Sequence, residues 1–161
     1  MVSRAWIAPV VVAALVAAIV AVLGATVTEI GPWYQSLAQP RWAPAPAAFG
    51  VAWTVIYAMT GLAGVTAWLA TPRWSEREWL LGVFALSGFL NIAWSLLFFR
   101  LQRPDWALIE VVGLWLSVAA LIVMTWRRSM TAAVLLLPYL LWVTYAGYLN
   151  MAIVRLNGPF S

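Results

Sequence analysis

The sequence predicts an all-α membrane protein, a bundle of five transmembrane helices with a long loop between helices 1 and 2. Three observations predict it. Hydrophobic residues make up 65% of the chain and charged residues only 9%, against roughly 25% charged in an ordinary soluble domain. Runs free, or nearly free, of ionisable side chains recur five times at about the length, some 20 residues rising ~1.5 Å each, that a hydrocarbon core of about 30 Å requires. Eight tryptophans (Trp6, Trp33, Trp42, Trp68, Trp74, Trp79, Trp106 and Trp126) fall near the ends of those runs, where aromatic belts form.

The first helix is expected over residues 5–28, an uncharged stretch longer than the hydrophobic region of about 7 to 15 residues in a cleavable signal peptide. The second is expected over 49–70, because the front of its uncharged run is rich in proline and so suits a loop better than a helix. The third follows at 79–99. The fourth, 106–126, is preceded by Pro104 and Asp105, which favour a helix start through fixed φ and a contact with the helix dipole. The fifth, 129–154, carries Pro138 as a kink that neighbouring helices can accommodate. Short connections leave no room for a soluble domain, so residues 1–161 read as one domain. Arg4, Arg73, Arg77, Arg127 and Arg128 fall on one side, and Arg41, Arg100, Arg103 and Arg155 on the other. This bias favours an N-terminus inside.

Residues 31–48 are the exception to short connections. They hold Trp33, Tyr34 and Trp42 among several prolines, with Arg41 as their cation. A loop this long in a compact fold is usually functional or disordered, and its aromatics argue against disorder. It reads as a lid.

Depth below the lid follows from the helical rise. Trp53 and Tyr57 lie roughly 6 and 12 Å in, Asn91 and Trp94 roughly 12 and 8 Å, and Trp142, Tyr145 and Ala146 roughly 18, 14 and 12 Å. Three helices thus place large aromatics in one layer, and Pro138, Trp142, Tyr145 and Leu149 share the rhythm of one helical face. A packed core would show the same stripe. The indole, phenol and amide groups, however, need partners in hydrocarbon, and a mostly apolar cavity with a few convergent polar groups is what ligand pockets look like. The small Ala146 and Gly147 permit close approach of a helix or a flat ligand.

Other chemistry is excluded by composition. With neither Cys nor His, the commonest ligands of a transition metal are missing, and no metal site is expected. The net charge of +4 is dispersed, whereas nucleic-acid binding needs clustered cations, so no nucleic-acid partner is expected. Glu110 is the one acid well inside a span, and its position near a helix start reads as a carboxylate facing headgroups. The sequence has no paired-carboxylate, Ser-His-Asp or phosphate-cradling arrangement.

A family resemblance emerges from Trp33-Tyr34 with Leu37, Pro40, Trp42 and Pro44; Ala52-Trp53-Thr54 with Tyr57; Asn91 with Trp94 and Phe98-Phe99; Trp106-Ala107-Leu108; and Pro138-Tyr139-Leu140 with Trp142, Ala146, Leu149 and Asn150. On these residues the chain resembles the TspO, or tryptophan-rich sensory, proteins, relatives of the mitochondrial translocator protein. The resemblance implies a membrane receptor or carrier for porphyrins and other flat hydrophobic ligands, with no required cofactor, in a bacterial cell membrane or, alternatively, an outer membrane. It implies a pocket under the first loop, lined at positions matching Tyr34, Trp53, Asn91, Trp142 and Ala146. Light-dependent porphyrin breakdown in that pocket is the alternative activity. A homodimer in membrane lipid is also implied, and small faces at Ala13, Ala17, Ala21 and Ala25, or at Gly82 and Ala85, would allow one. The chain departs from many members after Trp42, where it reads Ala43-Pro44-Ala45-Pro46 in place of a polar residue and two consecutive prolines.

Overall fold

A computed structural model describes residues 7–28 and 30–160. Arg4, Trp6, Glu29, the first two residues of the expected first helix and the Ala25 side chain lie outside the described residues. The described chain is helical: α1 (Ile7–Val27), α2 (Pro32–Ser36), α3 (Pro46–Ala70), α4 (Trp74–Ser95), α5 (Pro104–Trp126) and α6 (Met130–Asn157). Among them α3, α4 with its extension, α5 and α6 are each long and apolar enough to cross a membrane, and α1 holds a shorter apolar stretch, Pro9–Leu23.

The helix ends differ from the sequence expectation for local reasons. α3 begins at Pro46, three residues early, because a proline in the first turn gives up only an N–H that has no helical partner there. The same rule starts α5 at Pro104 and the short α2 at Pro32, which places a helical turn inside the expected loop. α4 begins at Trp74 instead of 79. Its charged first turns need no hydrocarbon, and Glu76 sits in the first turn, where the helix dipole favours an acid. Glu76 is also bridged by Arg73 and Arg128. Ser129 caps α6, its hydroxyl accepting from the Ala132 N–H at 3.1 Å.

At its far end α4 widens into a π-helical turn, Leu96–Arg100, marked by the Leu101 N–H donating to the Leu96 carbonyl five residues back at 2.9 Å. The wider turn lets two consecutive aromatics, Phe98 and Phe99, both face the interior.

The helices close a ring in the order α1, α3, α6, α5, α4 and back to α1, while α3 and α4, though consecutive spans, scarcely touch. Close approach is made by small residues. The Ala13 and Ala17 face of α1, expected to be free for a dimer, lies against Gly61 of α3 within the same chain. Gly147 of α6 sits over Val111 of α5, so a Cβ there would approach both Val111 methyls within 3.6 Å. Outward positions such as Val51, Phe89, Ile109 and Val123 are exposed apolar side chains, as a lipid-facing surface requires. The interior forms two clusters: an aromatic one below the lid and a smaller one of Ala63, Ala67, Leu80, Leu121, Ala132 and Leu136 at the opposite end.

Candidate ligand-binding site

α3 supplies one wall. Trp53 and Tyr57, one turn apart, stack at 5.4 Å with their planes only 19° apart. The Tyr57 hydroxyl donates across the bundle to Oδ1 of Asn91 on α4 at 2.9 Å. α6 supplies the facing wall. The Trp142 ring meets Trp53 at 6.1 Å and Phe49 at 5.9 Å, both nearly perpendicular. Tyr139 meets Trp53 from below, and its hydroxyl lies 3.4 Å from Ser87 Oγ. Such edge-to-face pairs contribute roughly 0.5–1.5 kcal/mol each beyond the area they bury.

The lid closes the layer from above. Tyr34, on α2, is 2% exposed and packs against Phe49, Phe98 and Phe99. Burial, with a smaller contribution from Tyr145, pushes its phenol up to about 12. Trp33 sets its edge against Phe98. The second half of the lid is tied to α6. The Ala38 N–H donates to Asn157 Oδ1 at 2.7 Å, and Asn157 Nδ2 donates back to the Ala38 carbonyl at 2.9 Å. Trp42 stacks on Tyr148, and its carbonyl accepts from the Tyr145 hydroxyl at 3.1 Å. Arg41 is exposed beside it.

Most of the residues expected from depth counting therefore meet: Trp53, Tyr57, Asn91, Trp142 and Tyr145 form one aromatic and amide layer, which Tyr34, expected from the resemblance, joins through Phe49. Ala146 is buried in the same core cluster. Trp94 stands differently. It packs with Phe98 and Phe99, and its indole N–H reaches Oδ1 of Asn150 at 3.3 Å when the Asn150 amide is oriented to donate to the Pro104 carbonyl at 2.9 Å. The same Oδ1 accepts from the Leu108 N–H at 3.1 Å. Trp94 thus belongs to a satisfied joint between α4, α5 and α6.

The inward face of α6 is also rotated from the sequence reading. Tyr139, Val143, Ala146, Asn150 and Ile153 are buried, as is Leu149 of the expected face, whereas Pro138, Trp142 and Tyr145 turn toward α3. That 4-3-4-3 spacing was available in the sequence, as was the larger proportion of small and β-branched residues along it. Phe49, masked by the late start assigned to the helix, and Asn157, a lone amide at a helix end, carried no signal of their own.

Several buried polar atoms have no hydrogen-bond partner among the described residues. Three border the layer: Tyr34 Oη, Asn91 Nδ2 and Trp142 Nε1. Both carboxylate oxygens of Glu110 are likewise buried and unpartnered, which corrects its reading as a headgroup-facing acid. An unmade buried hydrogen bond costs about 1–3 kcal/mol. Three orphan donors around one aromatic layer are therefore suited to a flat ligand that accepts hydrogen bonds at its rim.

Comparison with known proteins agrees with this architecture. A family model described as TspO/MBR matches residues 10–156. The chain is 37% identical over 127 residues to the tryptophan-rich protein TspO of Chlorobaculum tepidum, covering 78% of this chain and 79% of that one. It is 37% identical over 150 residues to the tryptophan-rich protein TspO of Archaeoglobus fulgidus, covering 89% and 96%. It is 31% identical over 126 residues to the translocator protein of Homo sapiens, covering 78% and 75%.

Proposed function

The chain belongs to the TspO/MBR family of integral membrane proteins, and from that premise we propose that it is a membrane receptor or carrier whose aromatic layer binds porphyrins and similar flat hydrophobic ligands. The observation that carries this reading is the set of buried, unpartnered donors on Tyr34, Asn91 and Trp142 around the Trp53 and Tyr57 stack. A tetrapyrrole macrocycle offers apolar faces to Trp53 and Trp142, with Trp94 behind them. Its carboxylates sit at the lid, whose own cation is Arg41. The ring substitutes for the present contacts among the aromatics, so binding requires Trp53 and Trp142 to part.

The homodimer belongs to the same proposal. With Ala13 and Ala17 occupied inside the chain, the outer face of α4 is the remaining candidate. A Cβ at Gly82 would meet nothing within 4 Å, and Trp79, Leu86 and Phe89 are exposed beside it. Membrane lipid covers the rest of the outward surface, and a bacterial cell membrane with the N-terminus inside is the proposed setting.

The test is a titration of the protein in mild detergent with protoporphyrin IX, following tryptophan quenching. The expected result is saturable binding that weakens in Trp142→Phe and in Tyr34→Phe. Quenching that never saturates, or that both variants leave unaltered, refutes the reading.

A further inference from the structure

A groove of about 410 Å³ runs between α3 and α6 on the outer surface of the bundle. It is lined by Ala52, Val55 and Ile56 on one side and by Pro138, Leu141, Trp142 and Tyr145 on the other. On α3 it lies roughly 9 to 15 Å from the lid-side helix start, within the span. Its lining is almost wholly apolar, so only molecules dissolved in hydrocarbon reach it.

The groove and the inner layer share one wall. The Trp142 side chain lines the groove and also meets Trp53 and Phe49 inside. The two ways into the layer are closed very differently. From the lid side, a ligand has to displace Tyr34 from the core and to part the lid from α6, where Asn157 holds both backbone groups of Ala38 and Tyr145 holds the Trp42 carbonyl. From the bilayer side the shared wall is the Trp142 ring, flanked by Tyr145 and the buried Ile56. Its Nε1 has no partner among the described residues, so turning it breaks no hydrogen bond. Pro138, one turn away, has no N–H to give to the Val134 carbonyl, and α6 is least constrained where the ring has to move.

We infer that the groove between α3 and α6 is the route by which bilayer-dissolved flat hydrophobic ligands reach the aromatic layer, with Trp142 as its gate. The inference rests on the porphyrin reading above. The lid then serves as a fixed roof, and the protein samples its ligand from the membrane and not from water. A route differs from a site in one measurable respect. Narrowing a route slows arrival and departure by the same factor and leaves the equilibrium constant alone, since neither end state has changed.

The experiment uses the protein reconstituted in phosphatidylcholine vesicles, with protoporphyrin IX added and its own fluorescence followed by stopped flow, together with an equilibrium titration of each variant. Ala52→Phe and Val55→Phe fill the groove from its α3 side, against the outer face of Trp142, and leave Trp53, Tyr57 and Asn91 unaltered, and Val51→Phe, exposed on the same helix outside the groove, is the control. The expected result is association and release both slowed about fivefold or more in the two groove variants, with an unchanged Kd, and no effect at Val51. An unchanged Kd also shows that a variant is folded. Unaltered rates in both groove variants overturn the route. So does a Kd weakened in both, which makes the groove itself the binding place. Absence of saturable binding by the unmodified protein defeats the porphyrin reading, and the route falls with it.

Discussion

Asn157→Ala should loosen the lid without disturbing the bundle. The side chain makes two bonds to Ala38, at 2.7 and 2.9 Å, and a third, from Nδ2 to the Ile153 carbonyl one turn back, that contributes little to the helix. A typical intramolecular hydrogen bond contributes a net ~0.5–1.5 kcal/mol. Asn157 is half-buried, so water replaces part of what is lost, and about 1–2 kcal/mol is the reasonable figure for both lid bonds together, a factor of about 5–30 in local opening. The remaining ties, Tyr145 to the Trp42 carbonyl and Tyr34 in the core, are separate from it. The faster exchange should therefore centre on residues 37–39. Hydrogen exchange read by mass spectrometry resolves this, because the Ala38 amide is itself the donor to Asn157. Asn157→Asp keeps the acceptor and loses the donor, so it should fall between alanine and the parent. With the lid a fixed roof, porphyrin release should be unaltered in Asn157→Ala. Unchanged exchange over 37–39 would refute the assignment of Asn157 as the lid's anchor, and accelerated release would return the ligand route to the lid.

Trp53→Ala and Trp142→Ala should each weaken protoporphyrin IX by about 1–3 kcal/mol, through lost stacking and buried area; a titration checks this, and unchanged affinity in both would leave the aromatic layer as packing alone. Tyr57→Phe should destabilise the protein by about 1–3 kcal/mol, because Asn91 loses the donor at its Oδ1. Tyr57→Phe with Asn91→Leu should be less destabilised than the single change, as thermal unfolding in one detergent will show. The Tyr34 phenol, raised from 10.0 to about 12 by burial, favours the closed lid in its un-ionised form. The stability it contributes is complete below pH ~10 and is lost as pH climbs toward 12, since the released chain gives up its proton first. Proteolysis of the lid should rise over that window and should do so less steeply in Tyr34→Phe.

What the sequence made legible was whatever hydrocarbon dictates. Five apolar stretches gave five long helices, and the helical rise alone brought Trp53, Tyr57, Asn91 and Trp142 to one depth. What it obscured was local. Proline at 46 reads as a breaker until it is recognised as the first residue of a helix, and Glu76 to Glu78 read as an end because charge was taken as the boundary. The π-helical turn at 96–100 has no sequence signature beyond the Phe98-Phe99 pair. Trp94 and Trp142 are alike by residue type, and both fall in the aromatic layer. Only the partner of each indole, Asn150 for one and none among the described residues for the other, separates a structural tryptophan from a candidate binding one. Ala13 and Ala17 show the same limit, since a small face does not say whose helix it receives.

The ring order has a consequence for biosynthesis. α3 emerges from the ribosome early, yet its neighbours in the ring are α1, already made, and α6, made only after α4 and α5. Trp142, Tyr145, Asn150 and Asn157 all arrive on that later helix. Until it docks, Trp53 has no Trp142 to face, Trp94 has no acceptor for its indole and the second half of the lid has nothing to fasten to. A chain truncated before α6 should therefore insert into the membrane but present the α3 side of its aromatic layer to lipid. The aromatic layer is completed only when α6 closes against α3.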